Sequence, residues 1–218
     1  MSFLKKEKGI IITVIVLILI AFAGQYVEKL SIVKSTDIIT PMDHSNGIIT
    51  FVVPKDFGLA LKKDEIHATA YIPPCDESFD FCLYYNGIKY IGTNFGSAGV
   101  RIKNRSDLKT AVSCLNTSPD NYTSAKSTVV ASTTIYSVSA FPGIGDAGAG
   151  HYASGELLRL AYDGTCHEFE TRVAASQYAN FAEGSIKEFT ANDSKELLKE
   201  LRDIISRVTL KGGEKISF

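Results

Sequence analysis

Residues 157–169 read LLRLAYDGTCHEF, two runs of strand-forming residues joined by the dipeptide Asp163-Gly164. Asp-Gly is a strong signal for a two-residue β-hairpin turn, because both of its positions tolerate a positive φ. Such a turn places Arg159 opposite Glu168, where the two side chains form a cross-strand ion pair. The apolar side chains of the two runs then share the other face of the hairpin, namely Leu158, Leu160 and Phe169.

Other parts of the chain predict further strands. β-Branched and aromatic residues predict strands at residues 48–53, 57–61, 68–72, 81–85, 99–103 and 128–141. The dipeptide Asn86-Gly87 indicates a second hairpin, whose returning strand is expected at residues 88–91.

Two amphipathic helices complete the predicted secondary structure. Ser106 is expected to cap a helix that ends near Leu115, since apolar residues follow at helical spacing. Asp193 and Glu196 form a capping box for a helix whose apolar face reaches Val208. Because strands dominate, the predicted fold class is α+β, an antiparallel β-sheet flanked by helices.

The N-terminus has two interpretations. Residues 1–8 read MSFLKKEK, and an apolar run follows at residues 9–24. A single transmembrane helix at residues 9–26 is one interpretation. A signal peptide cleaved near Ala23 is the other, because a basic start, an apolar run and an A-x-A pattern suit it.

Both interpretations give the same layout outside the apolar run. Residues 1–8 form a cytoplasmic tail, and the rest of the chain lies outside the cytoplasm. Residues 27–46 are expected to be a stalk, residues 47–210 an extracytoplasmic domain and residues 211–218 a tail. The predicted location is the cell membrane, with secretion after cleavage as the alternative.

The charge balance limits the possible partners. Lys and Arg number 23 against 24 Asp and Glu, a formal net charge of −1. Binding to phosphate backbones requires clustered basic residues, so nucleic acid is excluded as a partner. The expected partners are the membrane, through the N-terminal helix, and another extracytoplasmic protein.

Four cysteines lie in the part predicted to be exported, namely Cys75, Cys82, Cys114 and Cys166. An even number in an oxidising compartment predicts disulfides, for which three connectivities are possible. A short loop bridged by Cys75 and Cys82 is the first choice. Zinc is less favoured, because paired spacings with histidine partners are missing.

Six segments carry a family resemblance, namely Ile49–Ala60, Cys82–Tyr85, Gly92–Phe95, Gly150–Ala153, Gly164–Phe169 and Gly184–Phe189. Together they resemble a family of small, uncharacterised, membrane-anchored bacterial proteins. More distantly, the order of strand, Asp-Gly hairpin, loop, capped helix and final strand resembles PsbP-like domains. The resemblance covers about residues 47–210 and implies an antiparallel sheet with helices packed on its faces. It implies no activity, because no residues here match the role of PsbP in oxygen evolution.

Residues 143–148 read GIGDAG and satisfy the pattern G-x-G-x-x-G. A dinucleotide site needs this motif at the start of a helix within a βαβ unit, whereas further glycines and a strand follow it here. Residues 141–155 are therefore predicted to be a flexible loop that could line a binding surface.

The candidate ligand-binding residues are His151, Tyr152, Arg159 and Glu168. His167 adjoins Glu168, but strand alternation places the two on opposite faces, which disfavours a local metal site. The sequence predicts no metal, no cofactor and no catalytic residue. It lacks a G-x-S-x-G nucleophile motif, and Cys166 and His167 point apart as strand neighbours.

Three functional hypotheses follow from these observations. The first is a membrane-tethered, extracytoplasmic interaction or assembly domain without catalytic activity. The second is a module that binds a small molecule or metal around residues 141–155 and the Asp163-Gly164 hairpin. The third is a hydrolase whose site is dispersed along the chain.

Overall fold

The computed structural model describes residues 42–66, 73–75, 79–119, 122 and 125–218, which belong to one compact unit, Thr40–Phe218. The strands and α-helices of these residues are, in chain order, β1 (Met42–Ser45), β2 (Ile49–Val53), β3 (Phe57–Ala60), β4 (Phe81–Tyr85), β5 (Phe95–Asn104), α1 (Ala111–Asn116), β6 (Thr128–Ser132), β7 (Tyr136–Gly148), β8 (His151–Tyr162), β9 (Thr165–Ser176), α2 (Ala191–Ile205) and β10 (Thr209–Leu210).

The fold is mostly β, and the predicted α+β class is wrong. The strands form a seven-stranded sheet in the order β3-β4-β5-β9-β8-β7-β6 and a three-stranded sheet in the order β1-β2-β10, both antiparallel. The described residues contain two α-helices, and α1 has only six residues. The expected PsbP-like arrangement, with helices flanking the sheet, is therefore corrected to two sheets and one long helix.

One face of the large sheet is apolar and is covered by α2 and the small sheet. Val100, Leu158 and Phe169 lie on this face, and all three are buried. Leu197 and Leu201 of α2 belong to the same core. Because side chains alternate along a strand, the intervening residues of β5, β8 and β9 lie on the other face.

The central hairpin is confirmed by the strand register. Arg159 lies opposite Glu168 in the pairing of β8 with β9. The turn residues Asp163 and Gly164 have φ values of 47° and 70°. Positive φ at both positions is the geometry that Asp-Gly favours in a two-residue turn.

The predicted loop at residues 141–155 is wrong, because these residues belong to a second hairpin. β7 and β8 pair along this stretch and turn at Ala149 and Gly150, with φ values of 50° and 79°. A β-bulge at Gly143, with φ of 70°, separates Pro142 from Ile144 in the register. Glycine supplies the positive φ that the bulge needs, so this stretch pairs rather than remaining a loop.

Both helices begin at caps other than the predicted ones. The capping box of α2 joins Thr190 and Asp193, so Asp193 is the third helical residue and not the cap. Thr110 caps α1 in the same way, through Ser113, whereas Ser106 precedes the helix. A cap is selected by which side chain reaches the free backbone N–H groups, and the apolar period alone does not identify it.

The second predicted hairpin also differs. Gly87 has the expected positive φ of 73°, but a short 3₁₀ helix, Ile88–Tyr90, follows it. The strand that returns against β4 is β5, starting at Phe95. The aromatic rings of Tyr85, Tyr90 and Phe95 pack together at this connection, with Tyr90 and Phe95 centroids 5.2 Å apart. These ring contacts stabilise the longer connection between β4 and β5.

The folded domain extends beyond both ends of the predicted range, residues 47–210. β1 lies in the segment expected to be the stalk, and it pairs with β2. In the expected tail, Ile216 is buried in the core. The predicted anchor at residues 9–26 and the predicted strand at residues 68–72 lie outside the described residues. Among the helices that are described, none has the length and apolar character needed to cross a bilayer.

Two disulfides connect the four cysteines. Cys75 bonds Cys82, as the first choice from the sequence predicted, and Cys114 bonds Cys166. Disulfides persist in oxidising compartments, so they indicate an extracytoplasmic domain.

Candidate functional site

Arg159 and Glu168 meet on the face of the large sheet opposite the apolar core. Arg159 Nε donates a hydrogen bond to Glu168 Oε2 at 2.9 Å. The two residues are only 0% and 3% exposed. The predicted ion pair is therefore confirmed. Because both side chains are buried, a ligand could reach the pair only if the residues that cover it moved. The ligand-binding role of both residues stays a prediction.

This pair belongs to a larger buried network that the sequence interpretation missed. Arg105 Nη1 donates to Glu168 Oε2 at 3.0 Å, and Arg172 Nη2 donates to Glu170 Oε1 at 2.9 Å. Arg101 pairs with Glu170, and its Nη2 lies 3.7 Å from Glu168 Oε1. Each carboxylate thus contacts more than one guanidinium, which offsets the cost of burying the charges.

Part of this network could be predicted from the sequence. Glu168, Glu170 and Arg172 alternate along β9, and alternation places them on one face. Arg101 is supplied by β5, which precedes β9 by more than 60 residues. That pairing is a long-range contact, so the residues of β9 could not reveal it.

Arg159 also contacts the C-terminal end of α1 and so links this helix to the sheet. Its Nη1 contacts the carbonyl oxygen of Thr117 and lies 3.5 Å from that of Cys114. Its guanidinium lies 5.1 Å from the centroid of the Phe141 ring. Carbonyl groups at a helix C-terminus attract cations, and the Cys114–Cys166 disulfide holds the same helix. The buried network therefore has a structural role in positioning α1.

Asp107 marks the solvent edge of the network. Arg105 donates to its carboxylate from Nε at 2.9 Å and from Nη2 at 2.7 Å. These hydrogen bonds lower the pKa of Asp107 to about 2. The Asp107 carboxylate consequently stays charged at neutral pH and balances part of the arginine charge.

His151 and Tyr152 lie near the opposite end of β8 from Arg159. His151 Nδ1 forms a 2.9 Å hydrogen bond with Ser176 Oγ, and Tyr152 is 39% exposed. Eight residues of strand separate His151 from Arg159, which corresponds to about 26 Å. The structure therefore does not bring the four candidate residues together in one site.

His167 lies on the apolar face, opposite Leu160. Burial lowers the pKa of the ring, and Asp80 opposes this shift. The side chain is 1% exposed, so it is inaccessible to a ligand. In the part of the chain that the structure describes, no three His, Cys, Asp or Glu side chains are arranged to hold a metal ion.

A groove of about 510 Å³ lies between α2 and the strands β7 and β8. Pro142 and Gly143 line it on the strand side, and Leu198 lines it on the helix side. Sites for small molecules occupy roughly 300–1,000 Å³ and are mostly apolar with a few polar groups. The groove matches this description, and residues from the 141–155 segment form part of it.

Gly155 shapes the floor of this groove. A Cβ atom at this position would lie 1.9 Å from the carbonyl oxygen of Thr171 on β9, a distance that no side chain tolerates. Next to it, Thr171 Oγ1 accepts a hydrogen bond from the Glu156 N–H at 3.0 Å and donates to the Glu156 carbonyl at 3.2 Å. β8 and β9 therefore approach closely beside the groove, and only glycine fits at this position.

The charged groups of the groove are unevenly paired. Glu156 Oε2 lies 3.3 Å from Arg202 Nη1, and burial raises the pKa of Glu156 while Arg202 opposes this shift. Lys195 and Lys199 line the groove one helical turn apart. Neither lysine forms an ion pair with a carboxylate of the described residues. The groove therefore combines apolar surface with two lysines that have no carboxylate partner in the part of the chain that the structure describes.

The sequence does not distinguish these lysines from ordinary surface residues. Lys195 and Lys199 lie on the polar side of an amphipathic helix, which usually faces solvent. They line a groove only because β7 and β8 extend beside the helix, and that arrangement depends on tertiary packing.

No protein-family model matches this chain, and no curated protein shows significant similarity to it.

Proposed function

We propose that this chain is an extracytoplasmic binding domain, tethered to a membrane, whose groove binds a ligand with an apolar body and an anionic group. The observation that carries the proposal is one groove that combines apolar surface with two lysines, neither of which forms an ion pair with a described carboxylate. It favours the binding-module hypothesis over a dispersed hydrolase.

The charge distribution supports an anionic ligand. Lys195 and Lys199 are exposed on successive turns of α2, so one anionic group can contact both. The two carboxylates of the groove already have cationic partners, Arg202 for Glu156 and Lys89 for Glu196 at 3.5 Å. A cationic ligand would have to compete with these partners, whereas an anionic one would not.

The apolar part of the groove supports a ligand with a hydrocarbon body. Leu198 is only partly buried against the core and lines the groove from the helix side. Pro142 lines it from the strand side and is exposed. Covering these side chains with a ligand removes apolar surface from water, at about 25 cal/mol per Å².

The proposed membrane tether is the apolar run at residues 9–26, in a single-pass arrangement with the domain outside the cytoplasm. Secretion after cleavage near Ala23 is the alternative. A relationship to small membrane-anchored bacterial proteins agrees with this proposal and stays a prediction. Recognition of another extracytoplasmic protein also stays a prediction.

Binding of octanoate to the full chain in nonionic detergent tests the proposal. Octanoate should raise the midpoint of thermal unfolding, followed by circular dichroism, by roughly 5–10 °C at a hundred times its Kd. Acetate lacks the apolar body and octylammonium lacks the anionic group, so both should give smaller shifts. Equal shifts with all three compounds would contradict the proposal.

Matched charge reversals test whether this groove is the site. Lys195→Glu combined with Lys199→Glu should abolish the shift caused by octanoate, because the anionic group loses both cations. Lys55→Glu combined with Lys126→Glu changes the net charge equally outside the groove and should preserve the shift. Retention of the shift in the first pair would exclude the groove as the binding site.

A further inference from the structure

β6 is the last strand of the seven-stranded sheet, and its outer edge pairs with no strand of the described residues. A free edge presents backbone N–H and C=O groups that can pair with a strand of another chain. Val129 on this strand is 55% exposed. The edge therefore offers both backbone groups and apolar surface.

β6 itself contains no charged residue and no proline, and the nearest charged residue is Lys126, two residues before the strand. Residues 127–141 read STVVASTTIYSVSAF and contain no charged residue, proline or glycine. Charged side chains and proline are the usual protection against strand addition. Uncharged, β-branched segments of this kind readily pair with other strands.

The opposite edge of the same sheet is protected. β3 is preceded by Lys55 and Asp56 and followed by the charged run at residues 62–65. The Leu61 N–H at its end donates to Glu65 Oε2 at 2.7 Å. Charged residues therefore flank β3 on both sides, whereas β6 has a neighbouring charged residue, Lys126, only on its N-terminal side.

A β-bulge determines which side chains of β6 are available. The bulge lies between Val129 and Ala131, and Val130 and Ala131 both pack against the core. Val129 remains exposed. A change at Val129 can therefore alter the edge without altering the core.

We infer that β6 pairs antiparallel with β6 of a second copy of this chain, joining the two large sheets across a two-fold axis. Such an axis places the same segment opposite itself, so an edge with charged residues would oppose like charges. β6 instead opposes Thr, Val, Ala and Ser, which are compatible neighbours across strands. Pairing over five residues extends about 17 Å along each strand. Because a contact of this size is small, we expect the dimer to be reversible.

Site-specific crosslinking tests this inference. The sequence has four cysteines and all of them form disulfides, so an added cysteine is the reactive thiol. Val129→Cys in the full chain should give a crosslinked dimer with a short bis-maleimide. Val112→Cys is the control, because Val112 is 70% exposed but lies on α1. Equal crosslinking at both positions, or none at Val129, would overturn the inference.

Sedimentation measurements provide a second readout. Val129→Lys should raise the dimer dissociation constant roughly tenfold or more, because the two-fold axis brings the lysines together. Val112→Lys should leave the constant unchanged, and both variants should keep the unfolding temperature of the parent chain. A dimer that persists in Val129→Lys would place the interface elsewhere. Neither outcome depends on ligand binding in the groove.

Discussion

His167 places a titratable ring on the apolar face of the large sheet. The ring is buried, and its Nε2 has no hydrogen-bond partner among the described residues. Burial favours the neutral form and lowers the pKa of the ring below its ordinary value of 6.5, although Asp80 acts in the opposite direction. One residue therefore makes the stability of the fold depend on pH.

Acidification from pH 7 to pH 5 is expected to destabilise the domain through His167. Because the pKa is lower in the folded state, the stability from the neutral ring is fully present above pH 6.5 and is lost as the pH falls. The free energy of unfolding, measured with urea at pH 7, 6 and 5, should fall less in His167→Leu than in the parent chain.

The carboxyl groups do not change the interpretation of this experiment. The pKa values of Glu156 and Glu200 are raised, first by burial, so their contribution to stability increases on acidification. This opposite contribution is the same in the parent and in His167→Leu, and it cancels in the comparison. Parallel pH profiles for the two proteins would show that His167 is not the responsible group.

At the level of elements, the attachment of α1 depends on buried charge. α1 has six residues, too few for a stable isolated helix. Arg159 contacts carbonyl groups at its end, and the ion pair with Glu168 holds Arg159 in place. The helix is therefore stabilised by tertiary contacts and not by its own propensity.

Arg159→Met is expected to lower the free energy of unfolding by about 3 kcal/mol, because Glu168 loses a buried partner. The estimate lies at the low end for buried pairs, since Arg105 still contacts Glu168. Hydrogen exchange in α1 should also become faster, because the carbonyl contacts are lost. The measurement combines urea denaturation with amide exchange.

Lys89→Met serves as the matched control. Lys89 pairs with Glu196 at 3.5 Å on the surface, and its side chain is 59% exposed. Exposed ion pairs contribute about 0–1 kcal/mol, so this variant should remain close to the parent chain. Similar losses in the two variants would mean that burial of the Arg159 pair has no special effect.

At the level of the whole molecule, the two disulfides restrict the unfolded chain to different extents. Cys114 and Cys166 are separated by 52 positions in sequence, and their disulfide joins α1 to β9. Cys75 and Cys82 are separated by only 7 positions. A longer closed loop removes more conformational entropy from the unfolded state.

Replacing Cys114 and Cys166 by alanine is expected to cost about 4 kcal/mol, and replacing Cys75 and Cys82 about 2 kcal/mol, from the two loop lengths. Urea denaturation of the two double variants under non-reducing conditions measures the difference. A larger loss from the Cys75–Cys82 pair would show that native contacts, and not loop length, determine the contribution of each disulfide.

The sequence by itself determined the features that depend on near neighbours. The Asp163-Gly164 turn set the hairpin register and therefore the pairing of Arg159 with Glu168. The apolar period placed α2 within three residues of its observed limits. The short separation of Cys75 and Cys82 indicated their disulfide. Turn geometry, helical period and short loops are local properties, so the residues that define them are close in the chain.

Only the tertiary structure decided the fold class and the composition of the sites. The glycines at residues 143–155 suggested a loop, but backbone pairing between β7 and β8 made them a hairpin. Arg101 joins Glu170 across β5 and β9. Lys195 lines the groove only because β7 and β8 extend beside α2. These contacts join residues far apart in sequence, and their free energy appears only after the chain has closed the loops between them.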